Sequence, residues 1–286
     1  EGTYSLIVWG VRLPMTLTCM GVGGCLAIAG LQVQTITNNP LSSPYTLGIS
    51  SGASFGAAIA IVTGISICGF QWIGTALTAF AFALFVTMTI FVLGRLKRMS
   101  AHTLVLIGIV MNFFFSALQQ YLQYSASAEI AQIISNWTFG NLSRASWTSA
   151  GVGLIATALG MLFFAGISWK LTAFSAGEER AKSLGIQVER LKMAVFLASS
   201  LLIAAAVGFI GTVGFVGLVA PHCARLLVGE DQRYLMPTTT MFGMVVMLAA
   251  STVSKLLSEG SMLPVGIITS IVGVPFLFVL LMREVK

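Results

Sequence analysis

Asn38-Asn39-Pro40-Leu41-Ser42-Ser43-Pro44-Tyr45-Thr46-Leu47-Gly48-Ile49-Ser50-Ser51-Gly52-Ala53 is the stretch on which the fold turns. It sets two prolines, two asparagines and a Gly/Ser cluster between long apolar segments. In a bilayer, backbone that leaves the helix must be buried in protein or line a water-filled cavity. A break at membrane depth therefore marks where a pathway is built.

The flanking sequence says that a bilayer is the solvent. The chain has 286 residues, 57% hydrophobic and 8% charged, whereas a soluble domain carries roughly 25% charged residues. Its apolar runs are continuous, at 5–36, 45–67, 71–94, 102–124, 147–169, 191–209, 212–228, 235–257 and 263–282. Continuous runs of about 20 residues are helical spans, and a barrel would alternate instead. The expectation is an all-α polytopic membrane protein with nine visible spans, the first long enough to begin at the interface. Residues 125–146 are too polar to span and read as an external loop with a short helix.

Charge orients the spans. Of the 15 Lys and Arg, all but Arg12, Arg144 and Lys255 fall on one side if the nine spans alternate. By the positive-inside rule that side, with the C-terminus, is cytoplasmic. Glu1 then starts outside, which predicts a missing first helix. The net charge of +6 is explained by these basic loops, so no nucleic acid is expected as a partner. Cys19, Cys25, Cys68 and Cys223 form no CxxC pair and read as small apolar fillers, with neither metal site nor disulfide.

Catalysis finds little support. Gly48-Ile49-Ser50-Ser51-Gly52 matches the G-x-S-x-G nucleophile elbow, but that elbow follows a strand and needs a base and an acid. His102 and His222 are the two histidines and Asp231 the one aspartate. A serine hydrolase acting through Ser50 is the weakest reading. The chain has no P-loop, so any ATP and Mg are bound by a partner and no cofactor is expected here. Ion-coupled carriers place charge inside the membrane, whereas here every ionisable residue lies near a predicted helix end or in a loop. An ATP-independent carrier is thus the alternative of a different class.

Three features remain open between a plain and a functional reading. Asn112, Ser116, Gln119, Gln120 and Gln123 form a stripe at helical spacing, serving either interhelical hydrogen bonds or the wall of a wet path. Gly208, Gly211, Gly214 and Gly217 recur at spacing three, either for close packing or as a second broken segment answering the one at Asn39-Pro40. The charged segment Ser175–Ile186 is helix-forming and ends at a glycine suited to a C-cap. It is a solvated loop or a short helix offered to a cytoplasmic partner.

Taken in order, several motifs resemble the FecCD-type permeases of bacterial ABC importers. They are Arg12-Leu13-Pro14; Gln34 through Asn39-Pro40-Leu41, Pro44 and Leu47–Ala53; Gly177-Glu178 with Ala181 and Leu184-Gly185; Gly208–Gly211 through Phe215–His222, Arg225, Gly229, Asp231, Arg233, Leu235 and Pro237; and Leu263–Ile267 with Gly273–Phe276. The resemblance covers nearly the whole chain. It implies one permease domain, 1–286, of the type II importer fold, with about ten helices and a cytoplasmic coupling loop at 171–191. Asn39 and Leu41 match the positions that close the cytoplasmic end of the path. Glu178, Glu179, Ala181 and Gly185 match the element that docks on the ATPase. Arg12 and Lys255 match external basic positions that receive a solute-binding protein, although Met15 departs from a second basic residue common after the Leu-Pro pair. His222 and Arg225 match a motif but anchor structure and ligate no iron. The implied function is translocation of an iron-siderophore across the bacterial inner membrane by alternating access, with haem or cobalamin as alternatives. The implied partners are a second permease subunit, two ABC ATPases, a periplasmic or lipid-anchored binding protein and the bilayer.

Overall fold

A computed structural model describes residues 2–67, 69–96, 101–258 and 262–284. Cys68, Lys97, Arg98 and Lys286 lie outside the described residues. In chain order the helices are α1 (Gly2–Ile7), a π-helical turn (Val8–Arg12), α2 (Leu13–Thr37), α3 (Ile49–Thr63), α4 (Gln71–Leu96), α5 (Ala101–Ser125), α6 (Ala128–Thr138), a 3-10 turn (Leu142–Arg144), α7 (Trp147–Gly166), α8 (Ser168–Ser175), α9 (Glu178–Ser183), α10 (Val188–Ile210), α11 (Val216–Val228), α12 (Gln232–Leu256) and α13 (Val265–Glu284). The only strand-like pairing among the described residues is a bridge between Ile67 and Phe70.

The molecule is a multi-pass membrane protein. Among the described residues six helical segments are long and apolar enough to cross a bilayer: Tyr4–Thr37 (α1, the π turn and α2 as one span), α4, α5, α7, α10 and α12. Runs 45–67 and 212–228 fare differently. Their helices, α3 and α11, are 15 and 13 residues long, about 22 and 20 Å at helical rise. That is short of the ~30 Å hydrocarbon core. The rest of each run is non-helical backbone, buried at Leu47, Gly48, Thr212 and Val213 and exposed at Tyr45, Gly64 and Ser66.

α2 is the axis. It is apolar all round and buried from Pro14 to Thr37 except for a few half-buried positions, which is the mark of a helix with protein on every side. It packs on α7, α10, α11 and α12. Small residues let the backbones approach, as is common where helices associate in lipid. A Cβ at Gly23 would fall 2.3 Å from the Gly243 carbonyl oxygen of α12, and one at Gly30 would fall 2.1 Å from that of Gly217 on α11.

The two ends of the bundle differ. At one end Trp9 stacks on Trp147 with centroids 6.3 Å apart, and Lys255 feels the positive charge of Arg12. At the other, α8, α9 and the facing ends of α2, α10, α11 and α12 gather Arg180, Lys182, Arg190, Arg225 and Arg233. We call this the basic end.

α3 and α11 are half-helices running in opposite directions from mid-depth. α3 begins where Gly48 meets Gly108 and Asn112 of α5, and it ends beside the start of α4, where Gly74 lies against Ile65. α11 begins where Gly217 meets Leu26 and Gly30 of α2, and it ends at the basic end with Arg225. The two breaks touch: a Cβ on Gly217 would lie 3.6 Å from Pro44 Cδ. The glycine recurrence at 208–217 thus serves both close packing and a second broken segment.

Candidate functional site

The first break starts at Asn38, whose left-handed backbone (φ 47°) ends α2. Asparagine tolerates this conformation better than other side-chain-bearing residues. Asn39 N then donates to Gln34 O at 3.2 Å, and Asn39 Oδ1 accepts from Leu41 N at 2.9 Å. Further in, Ser43 N donates to Thr46 Oγ1 at 2.8 Å and Thr46 N to Ser43 Oγ at 3.1 Å. Ile49 N donates to Pro44 O at 3.2 Å. The turn satisfies much of its own backbone, as buried irregular chain must. Leu41 is exposed at the tip, and Thr37–Pro40 face α5 residues Val105, Leu106 and Ile109 across a cleft of about 440 Å³.

Beneath this turn lies a polar network that hydropathy conceals. Gln32 and Thr35 of α2 bond to Gln232 at the start of α12: Gln32 Nε2 donates to Gln232 Oε1 at 3.1 Å and Gln232 Nε2 to Thr35 Oγ1 at 3.0 Å. Gln232 N donates to Thr172 Oγ1 of α8 at 3.1 Å. On the next face Gln34 Nε2 donates to Gly217 O at 3.2 Å, and Gln34 Oε1 accepts from Arg225. Arg225 also pairs with Glu230 at 3.2 Å. Each buried polar group here is costly without a partner, so the set fixes the register of α2 against α8, α11 and α12. Of these residues, Gln32, Thr172, Glu230 and Gln232 were not singled out from the sequence. The available signal was the Gln32-x-Gln34-Thr35 polar step inside an otherwise apolar run.

The charged segment is a helical knuckle formed by α8 and α9. Gly177 (φ 124°) starts α9 and Gly185 (φ 79°) follows it. Glu178 points inward: its carboxylate takes Lys192 Nζ at 2.8 Å and Lys182 Nζ at 3.0 Å. Burial pulls the Glu178 carboxyl upward, but hydrogen bonds from Lys192 and Lys182 prevail and hold it below the usual carboxylate range. The Lys192 side chain is 2% exposed and also lies over the Phe174 ring at 5.5 Å. Lys192 is thus a buried strut rather than a loop charge. Ala181 is fully buried. Glu179, Arg180, Leu184 and Gly185 form the exposed ridge. Of the coupling residues expected from the sequence, Glu178 and Ala181 shape the knuckle, while Glu179 and Gly185 face outward.

The stripe on α5 divides. Gln119 Nε2 donates to Thr138 Oγ1 at 2.7 Å and Gln123 Nε2 to Ser135 Oγ at 3.3 Å, so both are used in holding α6. Gln120 is exposed, and Asn112 and Ser116 are half-buried. The path expected from all five is not one face of shared environment. His222 packs edge-on to Phe276 at 5.8 Å. Among the described residues no three His, Cys, Asp or Glu come together as a metal site.

Comparison with known proteins matches this architecture. The profile of the FecCD transport family aligns with residues 1–283. A Methanocaldococcus jannaschii protein, provisionally named as an ABC transporter permease, is 38% identical over 99% of this chain and 83% of its own length. The iron(3+)-hydroxamate import system permease protein of Bacillus subtilis is 33% identical over 99% of this chain and 73% of its own. Others in the same identity range are named for molybdate, cobalamin and hemin transport. A solved structure, described as an inward-facing conformation of a transporter provisionally assigned to the metal-chelate ABC type, superposes with a TM-score of 0.90 at 31% identity, covering 99% of this chain and 89% of that one.

Proposed function

The chain belongs to the FecCD transport family and is an ABC importer permease, and on that premise we propose that it is half of a two-subunit path for an iron-siderophore complex. The basic end faces the cytoplasm, where two ABC ATPases seat on the α8–α9 knuckles. A solute-binding protein delivers cargo at the end bearing Arg12 and Lys255. ATP-driven closure of the ATPases moves the knuckles and resets the turn at Asn39 and Leu41, giving alternating access.

The observation that carries this reading is the hydrogen-bonded route from knuckle to turn. α8 holds Gln232 through Thr172, Gln232 holds Thr35, and Thr35 lies one turn before Asn39. The knuckle itself is stiffened by Glu178 and Lys192. A push on a rigid knuckle reaches the turn through packed polar groups rather than through a loose loop. The iron-siderophore cargo is favoured by the relative named for iron-hydroxamate and the structure assigned to metal chelates.

Gly185→Val tests the coupling. Open space surrounds Gly185, whose φ is 79°, so the variant meets no steric clash and carries about 2 kcal/mol of backbone strain. The expected result, in proteoliposomes with the cognate ATPase and binding protein, is ATP hydrolysis with uptake reduced at least tenfold. Unchanged uptake per ATP would remove the knuckle from the mechanism. At the other end, Arg12→Glu with Lys255→Glu should weaken binding-protein association several-fold at low salt and little at high salt, because exposed charges are screened. A salt-independent effect would count against electrostatic docking. A cargo panel of ferric hydroxamate, ferric catecholate, haem, cobalamin and molybdate on the binding protein selects the substrate.

A further inference from the structure

A cavity of about 560 Å³ at the basic end does not belong to the path described above. It opens between the end of α7, α8 and the start of α10. Its floor is apolar, with Phe163, Ile167 and Leu191. Its rim carries two cations, Lys170 and Arg190, and one amphipathic ring, Trp169, with Lys170 Nζ 5.7 Å from the ring centroid. No carboxylate lines it, and neither Lys170 nor Arg190 is in an ion pair among the described residues.

From the floor an apolar strip runs down the outside of α7 through Leu162, Leu159 and Ile155, which are 72%, 61% and 62% exposed. Their spacing is that of one helix face. Trp169 stands where that strip reaches the charged rim, and tryptophan favours the level where acyl chains meet headgroups. A bare double cation above a lipid-facing groove is complementary to one kind of ligand, an anion joined to an acyl chain. Basic pockets at the cytoplasmic ends of membrane helices hold such headgroups.

We propose that this pocket binds an anionic phospholipid of the cytoplasmic leaflet, its phosphate between Lys170 and Arg190 and its acyl chain along Leu162 and Leu159. Gly185, at the end of the coupling knuckle, lines the same cavity, so the lipid props one flank of the element that meets the ATPase. The inference rests on the cytoplasmic assignment of the basic end. Its test reads lipid preference rather than uptake, so the two stand or fall separately.

The purified chain is placed in nanodiscs of phosphatidylcholine containing 10% brominated phosphatidylglycerol or 10% brominated phosphatidylcholine, and tryptophan quenching is compared with that of Trp169→Phe. The part of the emission due to Trp169 should be quenched at least threefold more by the brominated phosphatidylglycerol. Each surface cation contributes about fivefold to the partition of an anionic lipid, so Lys170→Gln with Arg190→Gln should abolish the preference. Lys170→Arg with Arg190→Lys should keep it. Equal quenching by the two lipids overturns the proposal. So does relief of quenching by inorganic phosphate at matched ionic strength, which would mark a soluble-anion site. A double Gln variant that keeps the lipid preference but loses the ATPase would mark a protein contact and overturn it equally.

Discussion

The two interruptions of the membrane helices solve one problem in opposite ways. Residues 38–48 hold themselves, through Asn39 on Leu41, Ser43 on Thr46 and Pro44 on Ile49. Residues 211–215 are instead held by what surrounds them. Thr212 Oγ1 donates to Thr138 O, a Cβ on Gly211 would collide with Trp137 O, and Phe215 (φ 67°) has its ring pressed on Gly273 of α13. A self-bonded turn keeps its shape as it shifts on its neighbours. A segment moulded to α6 and α13 does not. For the gate proposed above, this difference assigns movement to the first break and the fixed wall to the second.

The largest effect comes from forcing apart α2 and α11 at the crossing beside which the two breaks meet. Gly30→Leu drives a side chain into the Gly217 carbonyl, 2.1 Å from the new Cβ. With backbone on both sides nothing yields, so the loss exceeds the about 1–3 kcal/mol of ordinary overpacking. The variant should fail to give a monodisperse peak in detergent. A normal elution profile and melting temperature would show that α2 and α11 do not cross as described.

Next comes a pair that separates the breaks. Gly211→Ala adds a Cβ 1.7 Å from Trp137 O at a φ of 84° and should cost several kcal/mol, with thermal unfolding as the readout. Asn38→Gly, also at positive φ, should change stability by less than about 1 kcal/mol, since glycine takes that conformation freely. Equal costs at the two positions would erase the distinction between moulded and self-supporting backbone.

This contrast also explains what the sequence revealed and what it hid. Runs 71–94, 102–124 and 147–169 became α4, α5 and α7 with ends shifted by no more than a few residues, because a lipid-facing helix must be apolar for its whole length. The break at Asn39-Pro40 was legible because proline and asparagine announce it. The break at 211–215 was only half legible: the glycine recurrence at 208–217 offered it beside plain close packing, since threonine, valine and phenylalanine do not mark a break when neighbours rather than water satisfy the backbone. Lys192 looked like one more cytoplasmic charge because its burial depends on Glu178, fourteen residues away in sequence. Gln119 and Gln123 lay on one stripe with Asn112 and Ser116, yet periodicity cannot tell a pore from a neighbouring helix such as α6.

A smaller effect should follow from Ser43→Ala, which removes the acceptor of Thr46 N at a cost of about 1 kcal/mol. Hydrogen exchange should quicken across residues 38–48 and stay unchanged across 211–215. Spread of the effect into the second break would mean that the two move as one body.

The smallest effect uses pH to ask whether the knuckle speaks to the first break alone. The Glu178 carboxyl is held low by Lys192 and Lys182. Its contribution is therefore complete above the ordinary carboxylate value of about 4.3 and fades as pH falls through the lower folded value. Glu178 is 38% exposed, so solvent screening keeps the contribution to a fraction of the bare pair energy. Acidification below about pH 4 should loosen α9 first, then residues 38–48 through Thr172, Gln232 and Thr35, leaving 211–215 protected. Glu178→Gln should show the loosened pattern at neutral pH and no further change on acidification. Acid-induced exchange that appears equally in both breaks, or persists unchanged in Glu178→Gln, would cut the link between knuckle and turn.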